Sequence, residues 1–306
     1  MFRVRVIAAV AALLALAPGL ARACACGCGV FDVGDATLIP GGAGSAAWLS
    51  YDRLDQTQNW SGAAGAPGAD NGDKRISTDL FTLGYQHMWK SGFGLMLEAP
   101  FYRRSFTTTT GGGALTKFTH DSIGDVRLMG VYSGFSPDMS TGLSLGLKLP
   151  TGSFTQAGFD RDVEVGSGTT DLIIGGYHLA PIDQAGRWSW FAQGQWDKPL
   201  DSRAGYRPGA EGDAAIGLAL AASPVTAKVG FTPMLQLLAS VRARDSGPAA
   251  DPANNGYERL LIAPGVEIRT KTWKLYGDVE FPVYQRVNGN ELVAPVQFKL
   301  IVSRSF

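Results

Sequence analysis

Hydrophobic and polar residues alternate with a period of two along the last segment of the chain, VAPVQFKLIVSRSF. One face of this segment carries the apolar residues Val296, Phe298, Leu300, Val302 and Phe306, with Arg304 as its one charge. The opposite face is polar except at Ile301, and the segment stops on an aromatic residue. The last strand of an outer-membrane β-barrel must both face lipid and pair with the first strand, so that no strand edge stays open. The pattern therefore predicts a barrel-closing strand whose terminal Phe306 is read by the barrel-assembly machinery, with a C-terminal strand of a secreted sandwich as the alternative.

Similar alternating segments recur along the chain and predict about twelve antiparallel strands. They lie near 45–57, 76–90, 92–107, 119–134, 140–151, 169–180, 187–199, 211–222, 225–242, 256–269, 272–287 and 293–306. Their connections alternate between long and short, except that a short turn at Asn288-Gly289-Asn290 stands where a long loop is expected. Long outer loops and short periplasmic turns are typical of outer-membrane barrels. We therefore predict an all-β transmembrane barrel over 44–306 with both termini in the periplasm.

Charged residues within these strands alternate with apolar ones. A charge facing lipid at mid-bilayer costs about 2–4 kcal/mol, so these side chains are expected to face the lumen. The predicted lumen residues are Glu98, Asp125, Arg127, Lys148, Lys228, Glu267, Arg269, Lys274, Asp278, Glu280 and Lys299. Basic and acidic members are interleaved, which predicts cross-strand ion pairs and weak charge selectivity. Two interpretations stay open, a satisfied polar interior and a defined solute-binding site.

The first residues have the pattern of a secretory signal peptide. Arg3 and Arg5 precede the apolar run 6–16, and Ala21-Arg22-Ala23 offers a cleavage site after residue 23. Removing 1–23 takes away three arginines, so 27 basic against 27 acidic residues become 24 against 27. This mild acidity argues against a nucleic-acid partner. We expect secretion and insertion into the bacterial outer membrane, with lipid as one partner and the oligomeric state left open.

The predicted mature chain begins with a Cys- and Gly-rich segment, 24–43, expected to hang in the periplasm or to plug the barrel. Its thiols, Cys24, Cys26 and Cys28, are the only cysteines of the sequence. C-x-C thiols can converge on a soft ion such as copper or zinc. An oxidising periplasm favours a disulfide instead, and Cys24 could carry a lipid. The three alternatives, metal or redox role, disulfide and lipid attachment, stay open.

Three glycine-rich motifs resemble a known group of outer-membrane proteins. They are GDVR at 124–127, GLSLGLKLPTG at 142–152 and GSGTTD at 166–171. Together they are similar to the transporter-like barrels of the meta-cleavage pathway of phenol degradation. The resemblance implies an outer-membrane channel and carries no catalytic residues to this chain. From it and the mixed-charge lumen we expect a channel for a small solute, including aromatic or apolar ones.

Two alternative functions are kept. The barrel could instead anchor a periplasmic or surface partner through a metal- or redox-linked cysteine segment. Less favoured is a lipid hydrolase, because His120 and Ser122 are similar to the H-x-S pair of outer-membrane phospholipase A and the lipid A deacylases. That pair is expected to share the lipid-facing side of its strand with Leu128. Ile123 replaces the Asn of the phospholipase pattern, so we expect no enzyme.

Overall fold

The computed structural model describes Gly34 and residues 36–69, 71–221, 223–226 and 229–306. A short 3-10 helix over Ala36–Leu38 precedes sixteen strands. Their bounds are β1 (Gly44–Gln56), β2 (Gln58–Gly62), β3 (Ala64–Gly65), β4 (Asp73–Met88), β5 (Phe93–Thr109), β6 (Leu115–Ile123), β7 (Val126–Tyr132), β8 (Thr141–Leu149), β9 (Asp171–Pro181), β10 (Trp188–Pro199), β11 (Glu211–Leu220), β12 (Ser223–Thr226), β13 (Val229–Arg242), β14 (Tyr257–Arg269), β15 (Trp273–Val293) and β16 (Gln297–Ser305).

The sheet closes on itself. β1 pairs with β16 from Ala46↔Ser305 to Leu54↔Gln297, and every other neighbouring pair is antiparallel as well. β6 and β7 both pair with β5 and together occupy one strand position of the wall, which we call a stave; β11 and β12 likewise both pair with β13. The β2–β3 hairpin lies outside the closed ring. Twelve staves remain, so the predicted twelve-stranded all-β barrel is confirmed.

The two faces of the wall are inverted relative to those of a soluble protein. Leu143, Leu145 and Leu147 on β8 are 57%, 60% and 40% exposed on the outer surface. On β16, Ile301 points inward and is 1% exposed, whereas Phe298 on the alternate face is 45% exposed. Polar and charged residues dominate the interior face. An apolar outer wall around a polar interior is stable only when lipid surrounds it.

The two ends of the barrel differ in their connections. We call the end with the chain's C-terminus the turn end, because β4–β5, β7–β8, β9–β10 and β14–β15 are joined there by short segments. The opposite, loop end carries the connections 57–72, 150–170, 200–210 and 243–256. Trp188 and Trp196, near opposite ends of β10, are 45% and 42% exposed on the outer wall, as expected for two aromatic girdles.

Two predicted connections were wrong. Asn288-Gly289-Asn290 is not a turn, because β15 continues through it to Val293 with a register shift between Val287 and Asn290. The extension pairs with β2, which itself lies in a region predicted to be a loop. Only residues 294–296 therefore connect β15 to β16. The predicted loop 108–118 is mostly strand, since β5 and β6 leave only 110–114 between them. In both places, strands continue to pair beyond the part of the barrel wall that lies in the membrane, so the β5–β6 and β15–β16 hairpins are longer than predicted.

Among the described residues, no helix is long and apolar enough to cross a membrane. The predicted signal peptide and the cysteine segment up to residue 33 lie outside the described residues. The periplasmic location of the termini and the recognition of Phe306 by the assembly machinery stay predictions.

Because the outer wall faces lipid, the cost in stability of one charge introduced there should depend on its depth in the membrane. Leu145→Arg, in the middle of β8, should lower the free energy of unfolding by about 2–4 kcal/mol, because the guanidinium must enter hydrocarbon. Leu115→Arg, equally exposed but at the loop-end start of β6, should cost about 0–1 kcal/mol. Denaturant titration of refolded protein in lipid vesicles measures both. Equal losses in the two variants would contradict this placement of the bilayer.

Candidate functional site: the barrel lumen

Residues 150–170, which we call the inward loop, connect β8 to β9 and fold into the loop end of the lumen. Asp125 lies in the break between β6 and β7 and holds both roots of this loop. Its Oδ1 accepts the Gly152 amide at 2.9 Å, and its Oδ2 accepts the Ser167 amide at 2.7 Å and the Ser167 hydroxyl at 2.6 Å. Hydrogen bonds to a carboxylate are about twice as strong as neutral ones. We call this arrangement the Asp125 clasp.

Glycine is required where the two roots of the inward loop meet. A Cβ on Gly152 would lie 2.7 Å from the Gly166 Cα, and one on Gly166 would lie 2.5 Å from the Gly152 carbonyl carbon. No side chain fits between backbones at that separation. The GDVR, PTG and GSG motifs, distant in sequence, therefore build one structure, the closed base of the inward loop.

Deeper in the lumen, the inward loop is held by a buried arginine and by apolar packing. Arg104 donates from Nη1 to the carbonyl oxygens of Val163 at 2.8 Å and Glu164 at 2.9 Å. Val163 is 0% exposed and packs with Ile76 and Phe106. The loop thus occludes the loop end with contacts to the barrel wall.

Below the inward loop lies a polar cavity of about 170 Å³, the upper cavity. Its charged lining comprises Glu98, Arg104, Asp125, Arg127, Lys148, Arg161, Asp162, Glu164, Asp171, Asp197, Glu211 and Arg242. The Lys148 ammonium lies 2.6 Å from Asp171 and 2.8 Å from Asp197, so one cation is bracketed by two carboxylates. Arg127 and Glu98 form a looser pair at 3.8 Å.

Glu164 carries the inward loop's carboxylate into the upper cavity. Its Oε1 accepts a hydrogen bond from the backbone N–H of Gln156 at 2.5 Å. Its Oε2 is buried and has no hydrogen-bond partner among the described residues. Burial raises the pKa of this carboxyl to about 7, against the opposing effects of the Gln156 amide, Arg161 and Arg104. Glu164 is therefore ionised fully only above neutral pH.

A second, middle cavity of about 100 Å³ follows toward the turn end. Its lining is mixed. The apolar part consists of Met96, Met129, Val131 and Tyr177 from the wall, together with Leu38, Ile39 and Pro40, and the polar part of Gln86, Glu98, Ser144, Gln193 and Gln195. Glu98 lines both this cavity and the upper one. The two cavities are thus neighbours along the lumen.

The segment before β1 lies inside the turn end. The Gly34 amide donates to the Gln193 side chain at 2.8 Å, and Leu38 packs on the cluster of Trp48, Tyr276 and Ile301. Beyond this segment lies a third cavity of about 490 Å³, which we call the turn-end cavity. It reaches Phe306, and Arg269 and Lys274 are among the residues that line it. Three cavities therefore lie in series inside the barrel.

Ten of the eleven predicted lumen residues are described, and Lys228 lies outside the described residues. All ten lie on the interior face, at three levels. Glu98, Asp125, Arg127 and Lys148 line the upper cavity, and Arg269 and Lys274 line the turn-end cavity. The remainder, Glu267, Asp278, Glu280 and Lys299, are at most 7% exposed between these levels. Whether any of them selects a solute stays a prediction.

A second lysine repeats the bracketed arrangement of Lys148. Lys299 lies in register with Asp52 on β1 and with Asp278 on β15, and its ammonium is 3.9 Å from Asp52. Asp278 also accepts a hydrogen bond from Tyr276 at 2.6 Å. The predicted cross-strand pairing is present, but each of these lysines has two carboxylate neighbours.

Several interior carboxylates were not singled out from the sequence: Asp52, Asp162, Glu164, Asp171, Asp197, Glu211 and Asp213. Strand parity alone would have found Asp52, Asp197 and Asp213, because each stands at a buried position of an alternating burial pattern. Parity could not have found Glu164, since it stands on the inward loop.

The predicted hydrolase pair does not come together. Ser122 Oγ donates to the Ile123 carbonyl at 3.0 Å, and no hydrogen bond joins it to His120 among the described contacts. The ring of His120 lies 6.0 Å from that of Phe159 on the inward loop, and its buried Nε2 has no hydrogen-bond partner within the described part of the chain. Their predicted lipid-facing orientation was wrong, because the break at 124–125 resets the alternation between β6 and β7.

No group of three or more metal-ligating side chains occurs within the described part of the chain. Cys24, Cys26 and Cys28 lie outside it. The copper or zinc site, the disulfide and the lipid anchor at these cysteines all stay predictions.

Neither protein-family models nor curated proteins match this sequence. Among solved structures, the fold is similar to the COG4313 outer membrane channel from Pseudomonas putida F1, with a TM-score of 0.64 and 12% identity over 90% of this chain and 100% of that one. It is also similar to the β domain of the Bordetella autotransporter BrkA, with a TM-score of 0.50 and 14% identity over 86% and 100%.

These likenesses concern the fold, and they agree with the resemblance to transporter-like outer-membrane barrels. Neither of the two structures is described as an enzyme. The fold and the apolar outer wall together place the chain in the bacterial outer membrane. It is an outer-membrane β-barrel with an internally occluded lumen.

Proposed function

We propose that this barrel is a channel for a small organic solute, with the loop end facing the cell exterior. The observation that carries the proposal is the series of three cavities along the lumen, of about 170, 100 and 490 Å³. Neighbouring cavities share lining residues: Glu98 borders the upper and middle cavities, and Leu38, Ile39 and Pro40 border the middle and turn-end cavities. A barrel kept only as an anchor needs no such series.

The linings of the upper and middle cavities favour an amphiphilic solute, that is, one with an apolar body the size of one ring and a polar group. The middle cavity has methionine and tyrosine walls, and methionine packs adaptably against aromatic rings. An engineered apolar cavity of about 150 Å³ holds benzene, so one ring is the upper limit here. The upper cavity supplies hydrogen-bonding groups beside it, and Glu98 borders both.

The inward loop and the Asp125 clasp would act as the outer gate of this channel. The loop is anchored at its roots by one carboxylate, and Arg104 holds the backbone just before the second root. Breaking the root contacts should let the loop leave the lumen without disturbing the wall.

Filling the middle cavity with a larger side chain tests whether solutes pass through it. Met96→Trp should lower single-channel conductance in planar bilayers and remove the block of ion current by benzyl alcohol, because the indole occupies the ring site. Leu97→Trp, one residue away but 46% exposed on the lipid face, is the matched control and should change neither. A parent protein that inserts but carries no current would contradict the channel.

Opening the clasp tests the gate. Asp125→Ala removes three hydrogen bonds to a charged group, each worth about 1.5–3 kcal/mol. We expect larger and noisier conductance, together with faster proteolysis within 150–170, while the β-sheet circular dichroism stays unchanged.

The control for the gate is Asp121→Ala, on the outer face of β6, where Asp121 is 59% exposed and 3.7 Å from Arg103. It should behave as the parent. Parent-like conductance and proteolysis in Asp125→Ala would show that the clasp does not hold the loop.

A further inference from the structure

The upper cavity has more acidic than basic side chains in its lining. Seven carboxylates line it, against five cationic groups. The interleaved charges singled out from the sequence suggested near balance, and the additional carboxylates remove it.

The two lysine arrangements show how the excess arises. Lys148 has Asp171 and Asp197 within 2.8 Å, and Lys299 lies in register between Asp52 and Asp278. A lysine neutralises one carboxylate, so each group of three carries a net formal charge of −1 when all its members are ionised. Beside Lys148, Arg127 and Glu98 form a pair that adds no further net charge. Because the surrounding wall is apolar, lumen water and ions feel such charges more strongly than at an open surface.

Glu164, on the inward loop, adds a carboxylate to the lining of the upper cavity. Its residue is only 9% exposed, and its Oε2 has no hydrogen-bond partner among the described residues. Asp197 Oδ1, on the wall of the same cavity, is likewise buried without one. Two carboxylate residues, each with one oxygen that has no hydrogen-bond partner among the described residues, thus line the upper cavity.

We propose that the lumen selects for cations, and that Glu164 and Asp197 are specificity-determining residues at its narrow upper cavity. The favoured solutes are small organic molecules whose polar group is an ammonium or another cation, ahead of carboxylates of the same size. Acidic side chains lining a pore confer this preference in other cation channels. The proposal rests on the proposed channel function and names the charge class of its solute.

The direct measurement is the reversal potential in planar bilayers under a potassium chloride gradient. It is made at about pH 8.5, above the raised pKa of Glu164, so that this carboxylate is ionised. We expect the parent to show a potassium-to-chloride permeability ratio above one. Glu164→Gln and Asp197→Asn should each reduce this ratio, and Glu164→Lys should reduce it furthest.

Asp121→Asn is the control, because it removes one carboxylate of the outer face and leaves the lumen unchanged. Glu164 stands on a loop, so its variants should preserve the barrel even if Asp197→Asn folds poorly. Current with a permeability ratio at or below one, or a ratio that Glu164→Lys leaves unchanged, would overturn the selectivity. A reconstituted parent without any current would overturn the channel itself and the selectivity with it.

Discussion

Every backbone amide and carbonyl that lies in lipid must be paired within the protein, because hydrocarbon offers no hydrogen bonds. Here the pairing of β1 with β16 meets that requirement by removing the last free edge in the wall. Closure then forces the alternation of the strands to send one set of side chains to lipid and the other into the lumen. The apolar outer wall, the polar interior and the location of all cavities follow from this one constraint.

The interior of a narrow barrel cannot be left as a loose collection of charges, since burying an unpaired ion is costly. In the barrel wall, lysines lie between carboxylates of neighbouring strands and form ion pairs with them, as Lys148 does with Asp171 and Asp197. The inward loop uses the same polar interior when Arg104 binds its backbone carbonyls. The groups that stabilise the lumen are therefore those that a passing solute would meet.

The break between β6 and β7 joins the wall to the occluding loop. Interrupting the stave at 124–125 turns the Asp125 carboxylate toward both roots of the inward loop, where three donors reach it. The same break changes the face on which His120 and Ser122 lie. One local irregularity thus makes the clasp possible and explains why these two residues do not face lipid.

The sequence by itself determined the barrel, its strand number and the inward-facing charges, because a period of two together with the cost of charge in lipid leaves one assignment of faces. It also pointed to the GDVR, PTG and GSG motifs, without saying that they meet. Only the tertiary structure decided the clasp, the three cavities, the place of Glu164 and the continuation of β15 through Asn288. These depend on how loops return into the lumen and on pairing beyond the membrane wall, and strand periodicity carries no information about contacts between residues far apart in the chain.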